Sequence, residues 1–264
     1  MIPEKELVLV KAGGSFITYK DKVFSVNYLA LENLSKILLS TMNRYRIILG
    51  NGGGSFAHPV VKMFQKSDPK MLIVQCQKAT RLLNKIIVDY LVDRGVPATS
   101  MQTSAFIYRK HNAVEAFIEP LITALSHGII PVVYGECIFD EEKCYDILST
   151  EKVFESIASK TTVTRIVLLT DVDGVYTCNP KECSNPELIP RITKRNIDEV
   201  LGILKAESGR DVTGSIYSKV KSMSIFSEKY GVRIYIVSGF NIADSIKAVR
   251  GEEKVYGTII DMNS

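Results

Sequence analysis

The chain has 264 residues, of which 46% are hydrophobic and 23% are charged, and its net charge at pH 7 is +4. This composition is typical of a globular protein, and so small a charge argues against a nucleic-acid-binding protein. No apolar run reaches the roughly 18 residues of a membrane span, so we expect neither nucleic acid nor membrane as a partner. The five cysteines form no Cys-x-x-Cys pair. We therefore expect no metal site, and we expect the thiols to be reduced in a cytoplasmic protein. We also expect no signal peptide.

Short apolar runs predict buried strands, and apolar residues three or four apart predict helices. In chain order these are strand 7–10, helix 26–42, strand 47–49, helices 60–65 and 72–94, strand 97–101, helix 117–127, strand 129–134, a hairpin over 137–145, helix 150–159, strand 165–170, helices 196–205 and 216–229, strand 232–237, helix 242–249 and strand 256–260. Because strands alternate with helices, we expect an α/β fold, an open αβα sandwich with a mostly parallel central sheet. A soft boundary divides it into lobes 1–160 and 161–264, which share one continuous sheet.

Glycine-rich turns follow the first two predicted strands. The first is Lys11-Ala12-Gly13-Gly14-Ser15, and the second is Gly50-Asn51-Gly52-Gly53-Gly54-Ser55-Phe56-Ala57-His58. A third turn, Asp211-Val212-Thr213-Gly214-Ser215, opens a predicted helix. Such turns let backbone N–H groups approach an anion at the positive end of a helix. Their spacing fits neither the Rossmann nor the P-loop fingerprint, and a tight turn without a ligand is the alternative.

Polar side chains gather where the predicted strands end. In a parallel sheet these ends meet at one crevice, which would collect Lys11, Ser55, His58, Glu151, Asp171, Asp173 and Lys219. Two lysines and three glycine turns without a nucleophile–base pair indicate phosphoryl transfer, which needs positioning and charge neutralisation more than covalent chemistry. The alternatives are ordinary: lysines in solvent, a histidine that caps or packs, and aspartates that form turns.

Four motifs resemble those of the amino acid kinase superfamily in order and spacing. They are Lys11-Ala12-Gly13-Gly14-Ser15, Gly52-Gly53-Gly54-Ser55-Phe56-Ala57-His58, Leu169-Thr170-Asp171-Val172-Asp173-Gly174-Val175-Tyr176, and Asp211-Val212-Thr213-Gly214 with Lys219. The resemblance runs from about residue 6 to residue 260. It implies the αβα fold of that family, an N-terminal half that binds the phosphate acceptor, a C-terminal half that binds ATP, and a homodimer.

Within the family, the Gly-Gly-Gly-Ser-Phe-x-His run is similar to that of isopentenyl phosphate kinases. These enzymes transfer the γ-phosphoryl group of ATP to isopentenyl phosphate in isoprene biosynthesis by a mevalonate route, so the resemblance implies ATP and Mg²⁺ as cofactors. The catalytic residues it implies are Lys11, His58, Glu151 and Lys219. The acceptor-binding residues are Gly53, Gly54, Ser55 and His58. The nucleotide-binding residues are Lys11, Gly13, Lys20, Thr170, Asp171, Asp173, Tyr176, Lys181, Gly214 and Lys219.

The sequence departs from the isopentenyl phosphate kinase pattern at several positions. Asn51 stands where those enzymes usually have histidine, and Ser149-Thr150-Glu151-Lys152 replaces their Ser-Gly-Asp-Asp. Two alternatives follow: a kinase for another phosphate or phosphonate, fosfomycin-like or UMP, and a non-catalytic nucleotide-binding regulator. An apolar acceptor tail is expected against Met71, Ile73, Val74, Cys76, Met101 and Phe106.

Overall fold

The structure is a computed structural model that describes residues 5–207 and 216–264. The predicted turn 211–215, with Gly214, lies outside the described residues. The strands are β1 (Leu7–Ala12), β2 (Arg46–Asn51), β3 (Ala98–Ser100), β4 (Ile107–Lys110), β5 (Ala113–Ala116), β6 (Ile130–Tyr134), β7 (Glu136–Asp140), β8 (Cys144–Leu148), β9 (Arg165–Thr170), β10 (Arg191–Ile192), β11 (Arg233–Ser238) and β12 (Thr258–Ile260).

The predicted helices begin and end close to where the apolar periodicity places them, except that the helix predicted over 60–65 starts six residues earlier; two four-residue helices are not predicted. They are α1 (Gly14–Ile17), α2 (Tyr28–Thr41), α3 (Gly54–Phe64), α4 (Pro69–Asp93), α5 (Thr103–Phe106), α6 (Glu119–Ser126), α7 (Thr150–Ala158), α8 (Ile197–Glu207), α9 (Ile216–Tyr230) and α10 (Ile242–Arg250). Helix α4 starts three residues before its predicted start, because Asp68 caps it and Pro69 occupies its first turn. Among the described helices, none is both long and apolar enough to cross a bilayer.

The large sheet has the strand order β10-β12-β11-β9-β1-β2-β6-β3. Its pairs are parallel except for β11 with β12, which confirms the mostly parallel sheet expected from the sequence. Strand β9 pairs with β1, so the sheet continues from the first half of the chain into the second. The assignment of separate binding roles to lobes 1–160 and 161–264 stays a prediction.

The sheet lies between two hydrophobic layers, and successive strand residues point to opposite ones. In β1, Leu7 and Leu9 face the layer that contains α7, α8 and α9, whereas Val8 and Val10 face the layer that contains α2, α4 and α10. The neighbouring strands β2, β9 and β11 alternate in the same way. Because both faces are covered, these strands read as continuous apolar runs, and the fold is the αβα sandwich that the sequence predicts.

A second sheet, of order β5-β4-β7-β8, stands beside the large one. The sequence predicts only its β7–β8 hairpin. The missed β4–β5 hairpin turns at His111 and Asn112, which have φ values of 47° and 63°. A two-residue turn with both φ values positive favours asparagine, so Asn112 is the signal that could have revealed the hairpin.

The cysteines correct the expectation of reduced thiols. Disulfide bonds join Cys76 to Cys137 and Cys178 to Cys183, while Cys144 is free and exposed. Cys76 lies on α4 and Cys137 on β7, 61 residues further along the chain, and packing brings their Cα atoms to 6.1 Å. Sequence spacing cannot reveal such a pair, because the approach depends on how the helix lies against the strand.

The Cys76–Cys137 bond is expected to stabilise the fold, because it closes a 61-residue separation in the unfolded chain. Cys76→Ala should lower the free energy of unfolding by roughly 2–4 kcal/mol in urea titrations without reductant. Cys144→Ala, at the exposed free cysteine, is the control and should change it by less than about 0.5 kcal/mol. Equal stability of both variants, or five reactive thiols in the unreduced unfolded chain, would contradict the bond.

Candidate active site

Strand register brings the candidate residues to one edge of the large sheet. Lys11, near the end of β1, lies opposite Gly50 of β2 and Leu168 of β9. Thr170 ends β9 opposite Ser238 of β11. The carboxyl ends of these parallel strands therefore form a common rim, as expected for ligand sites in open α/β sheets.

The first two glycine turns pack backbone against backbone at this rim. A Cβ added at Gly14 would lie 2.6 Å from the Gly54 nitrogen, and one added at Gly52 would lie 2.7 Å from the Gly14 nitrogen. Gly54 also has a φ of +45°, which side chains rarely adopt. No side chain fits between the two turns. Because the glycines carry none, the starts of α1 and α3 can lie side by side at the rim.

The start of α3 offers amide groups to an anion. Gly53 is its N-cap residue and Gly54 its first helical residue. The N–H groups of Phe56 and Ala57 donate to the Gly53 carbonyl, at 3.1 and 3.0 Å. The first amides of a helix have no partner inside the helix, and the helix dipole places partial positive charge there. The geometry therefore suits Gly53 and Gly54 for a phosphate, and their predicted role stays a prediction.

Ser55 is engaged by the protein itself. Its N–H donates to the Thr18 hydroxyl at 3.0 Å, and its own hydroxyl donates to the Ser25 carbonyl at 3.2 Å. The side chain is buried. Ser55 thus ties the loop between α1 and α2 to the glycine turn, and a direct contact with an acceptor phosphate would require these bonds to be exchanged.

His58 is exposed on α3, four residues after Gly54. Residues four apart lie on the same side of a helix, so His58 lies on the same side of α3 as Gly54 at the helix start. A histidine in this position can donate a hydrogen bond to the same anion that the amides would hold. This placement is compatible with the predicted acceptor role, which stays a prediction.

Lys11, Glu151 and Lys219 form a charged cluster. The Lys11 ammonium donates to the Glu151 carboxylate in a nearly buried ion pair. Burial raises the pKa of Glu151, but the charge and hydrogen bond of Lys11, together with the charge of Lys219, lower it to about 2. Burial and the charge of Lys11 lower the pKa of Lys219, while Glu151 opposes that shift. One carboxylate therefore pairs with Lys11 and also interacts electrostatically with Lys219.

Asp171 connects this cluster to the segment that follows β9. Burial raises the pKa of Asp171, but hydrogen bonds from Lys181 and Ser15 and the charge of Lys20 lower it overall. The Lys181 ammonium lies 2.5 Å from an Asp171 carboxylate oxygen. The charge of Asp171 also raises the pKa of Lys219, so the two groups are close enough for their charges to interact. The structure thus brings together five of the predicted nucleotide-binding residues: Lys11, Lys20, Asp171, Lys181 and Lys219.

The other predicted nucleotide-binding residues have partners within the protein. Gly13 donates its N–H to the Leu169 carbonyl at 2.9 Å, and Thr170 donates its hydroxyl to the Val172 carbonyl at 2.6 Å. The Tyr176 hydroxyl donates to Asp173 at 3.1 Å. Burial and this hydrogen bond raise the pKa of Tyr176. These contacts shape the rim, and the nucleotide roles of the residues stay predictions.

Lys152, the charge reversal within the family motif, is directed away from the cluster. Its ammonium pairs with Glu155 at 2.7 Å on the exposed side of α7, and Glu155 also accepts Lys229 at 3.2 Å. The Lys152 charge is therefore paired with Glu155 on the surface of α7. This departure gives no support to a loss of catalytic function.

The residues expected along an apolar tail separate into three groups. Ile73 and Cys76 belong to a small cluster, here called the α3–α4 cluster, which consists of Leu72, Ile73, Cys76 and Cys137 with Val61, Phe64 and Tyr145 packed against it. Met71 and Val74 are 45% and 50% exposed on the outer side of α4. Met101 and Phe106 pack into the main core instead. The first group is packed against Val61 and Phe64 of α3.

Sequence reasoning missed a polar network behind the glycine turn. The Asn84 amide donates to the Asn51 side-chain oxygen at 2.9 Å, and the Ser100 hydroxyl donates to Asn84 at 2.5 Å. The Thr150 hydroxyl donates to the Asn51 carbonyl at 2.8 Å. The signal that could have indicated this network is the pair Asn51 and Thr150. Both residues stand out in the sequence only as departures from a family motif.

The chain is similar over nearly its whole length to known proteins of one family. The model of the amino acid kinase family matches residues 6–238. The isopentenyl phosphate kinase of Methanocaldococcus jannaschii is 29% identical, covering 97% of this chain and 99% of that protein. That of Methanothermobacter thermautotrophicus is 29% identical, covering 96% and 98%. A solved structure of an isopentenyl phosphate kinase has a TM-score of 0.76 and 26% identity, covering 97% of this chain and 100% of that chain.

The low pKa of Glu151 predicts a pH dependence of stability. A carboxyl group whose pKa falls from 4.5 in the unfolded chain to about 2 in the fold stabilises the protein above pH 4.5. This contribution, on the order of 3 kcal/mol, is lost as the pH falls from 4.5 towards 2. Urea titrations of Glu151→Gln should therefore show a flatter pH dependence than wild type in this range. Glu142 lies in the exposed β7–β8 turn, so Glu142→Gln should show the same pH dependence of stability as wild type. A pH dependence of Glu151→Gln as steep as that of wild type would contradict the stabilising role of the ion pair.

Proposed function

The chain belongs to the amino acid kinase family, and from that premise we propose that it transfers the γ-phosphoryl group of ATP to the phosphate of isopentenyl phosphate. The products are isopentenyl diphosphate and ADP. The observation that carries the proposal is the cluster of Lys11, Glu151 and Lys219 at the rim, beside the glycine turn that begins α3. The relatives named isopentenyl phosphate kinase support this choice of acceptor.

One face of α3 supports an acceptor with a phosphate head and an apolar tail. Gly54, His58 and Val61 are spaced four and then three residues apart, so they lie on one face of the helix. The first two suit a phosphate, and Val61 packs against the α3–α4 cluster. At 1.5 Å per residue the distance from Gly54 to Val61 is about 10 Å, enough for a phosphate followed by a short hydrocarbon chain.

The β7–β8 hairpin supports the same acceptor, because it adds an apolar wall. Cys137 pairs with Ile147, and Phe139 pairs with Tyr145, so all four share one face. The disulfide from Cys137 to α4 orients this face towards the helices. Phe139 and Ile147 are nevertheless 53% and 52% exposed. Covering them with a hydrocarbon tail would stabilise the complex by about 25 cal/mol for each Å² buried.

The lysines would act by electrostatics. The acceptor phosphate is itself a nucleophilic anion, so the reaction requires no strong base. The two phosphate groups repel each other, and Lys11 on one side and Lys219 on the other would offset that repulsion as the phosphoryl group moves between them. Glu151 would orient both ammonium groups. His58 would hold the acceptor as a hydrogen-bond donor, where a carboxylate would repel it.

The nucleotide is proposed to lie on the C-terminal half, over Asp171 and Lys181, with Lys20 of the N-terminal half directed at its phosphates. Mg²⁺ is part of the proposal and would supply further neutralisation of the phosphate charge. The described residues contain no group of three or more His, Cys, Asp or Glu side chains that could hold a metal, so the ion would be carried on the ATP phosphates. The remaining parts of the proposal are a homodimer, which the family resemblance supports, and a location in the cytoplasm.

A kinase for UMP or for a fosfomycin-like phosphonate is the second candidate, motivated by Asn51. A nucleoside acceptor would need polar partners for its base, whereas the wall beyond His58 is apolar at Val61, Phe139 and Ile147. This contrast favours isopentenyl phosphate. A non-catalytic regulator is less well supported, because Lys152 leaves the charged cluster intact.

A coupled ADP-release assay with a panel of acceptors tests the proposal. With ATP and Mg²⁺, the highest kcat/KM is expected for isopentenyl phosphate, above UMP, a phosphonate and glutamate. Lys11→Ala should lower kcat by roughly 10²–10³-fold, because it removes a charge from the transferred group. Lys5→Ala, just before the other end of β1, is the matched control and should be unaffected. A preference for another acceptor, or no turnover of any, would refute the assignment.

The separation of the two binding halves gives a second kinetic prediction. His58→Ala should raise the KM for the acceptor by roughly 10–100-fold while changing the KM for ATP less than about threefold, since it removes one charge-assisted hydrogen bond. Lys181→Ala should do the reverse. His127 is exposed at the end of α6, on the side of the sheet opposite the rim. His127→Ala should therefore change neither KM. Equal losses for both substrates in His58→Ala would mean that the acceptor lies elsewhere.

A further inference from the structure

A buried threonine without a role in the proposed reaction immediately precedes Glu151. Thr150 is 2% exposed and is the first residue of α7. The cap of α7 is already supplied by Ser149, whose side chain accepts the N–H of Lys152 at 3.3 Å. The Thr150 hydroxyl is therefore not needed at the helix start, and its partners lie on the sheet.

The Thr150 side chain joins α7 to the carboxyl ends of two strands. Its hydroxyl donates to the Asn51 carbonyl at 2.8 Å and accepts the N–H of Gly135 at 3.1 Å. Its methyl group packs over Gly50, where an added Cβ would lie 2.6 Å from the Thr150 Cγ2. Asn51 ends β2 and Gly135 follows β6, so one side chain fixes the helix to both strands.

Asn51 is held equally firmly on its other side. The Asn84 amide donates to its side-chain oxygen at 2.9 Å, and Asn84 in turn accepts the Ser100 hydroxyl at 2.5 Å. Asn51 and Asn84 are each 1% exposed. A buried network whose members have hydrogen-bond partners is rigid and costly to distort. Asn51 is thus a fixed point directly before the glycine turn.

We propose that Thr150 is a positioning residue that sets the place of the Lys11–Glu151 pair relative to the glycine turn. Glu151 follows Thr150 in the chain, so a shift of Thr150 against Asn51 moves the carboxylate and the ammonium that it holds. A misplacement of about 1 Å can cost on the order of 10²-fold in rate. This inference rests on the proposed function, in which the phosphoryl group passes between Lys11 and the acceptor at that turn.

Two substitutions separate the hydroxyl from the shape of the side chain. Thr150→Val keeps the volume and removes the hydroxyl, and it should lower kcat by roughly 10–100-fold with the KM for ATP within about threefold. Thr150→Ser keeps the hydroxyl and should retain kcat within about threefold. Thr103→Val is the matched control, because the buried Thr103 hydroxyl likewise bridges backbone groups, the Tyr134 carbonyl at 2.6 Å and N–H at 3.2 Å. It should lower the melting temperature without lowering kcat.

A double-mutant cycle tests whether Thr150 acts through Glu151. Glu151→Gln removes the charge that Thr150 is proposed to place, so that adding Thr150→Val to it should cost little further kcat. Fully additive losses in kcat would overturn the inference. So would equal losses in Thr150→Val and Thr150→Ser, or a lower melting temperature of Thr150→Val with an unchanged kcat.

A double-mutant cycle on stability tests the inference independently of activity. If no acceptor is turned over, the proposed function is refuted, but this cycle still decides whether Thr150 positions the ion pair. Thr150→Val and Lys11→Met are combined, and the urea midpoint of the double variant is compared with the sum of the single shifts. Because Glu151 links the two positions, the double variant should shift by clearly less than that sum. Thr103→Val with Lys11→Met should be additive. Additivity in both pairs would overturn the positioning role of Thr150.

Discussion

The candidate site depends on one nearly buried carboxylate. Lys11 and Lys219 come from opposite halves of the chain, and burial together with the charge of Lys11 lowers the pKa of Lys219, as expected for two poorly solvated ammonium groups that repel each other. The Glu151 carboxylate offsets that repulsion, and the same interaction lowers its own pKa. The cluster keeps a net positive charge, with one carboxylate for two lysines, and that charge is what a triphosphate and an acceptor phosphate require when they meet.

Helix α3 relates the chemistry of this cluster to an acceptor. Its start packs so tightly against the first glycine turn that no side chain fits between Gly14 and Gly54. The same helix carries His58 and, one turn later, Val61. A single rigid element therefore places donors for an anion and a surface for a hydrocarbon in fixed succession. The exposed faces of Phe139 and Ile147 extend the apolar part onto the β7–β8 hairpin.

The large sheet could be predicted because its central strands are covered on both sides. Such strands must be apolar at every position, and Leu7 to Val10 is apolar throughout. The small sheet could not be predicted in full, because β4 and β5 are four residues long and partly exposed. Their register depends on a turn at His111 and Asn112 rather than on an apolar pattern. Short strands of this kind leave too few residues for a periodicity to emerge.

Local features could be predicted from the sequence: the glycine turns, the order of the central strands and the longer helices, and the residue types that follow each strand. Backbone geometry and burial require these residues at these positions, whatever they meet later. The contacts between distant residues, in contrast, depend on the tertiary structure. Lys11 and Glu151 are 140 residues apart, and Thr150 reaches Asn51 across 99. Such pairs are set by strand order, register and helix packing, which no local periodicity encodes. The sequence could therefore identify Glu151 as a candidate, but its nearly buried ion pair with Lys11, and the threonine proposed to position it, became visible only in the fold.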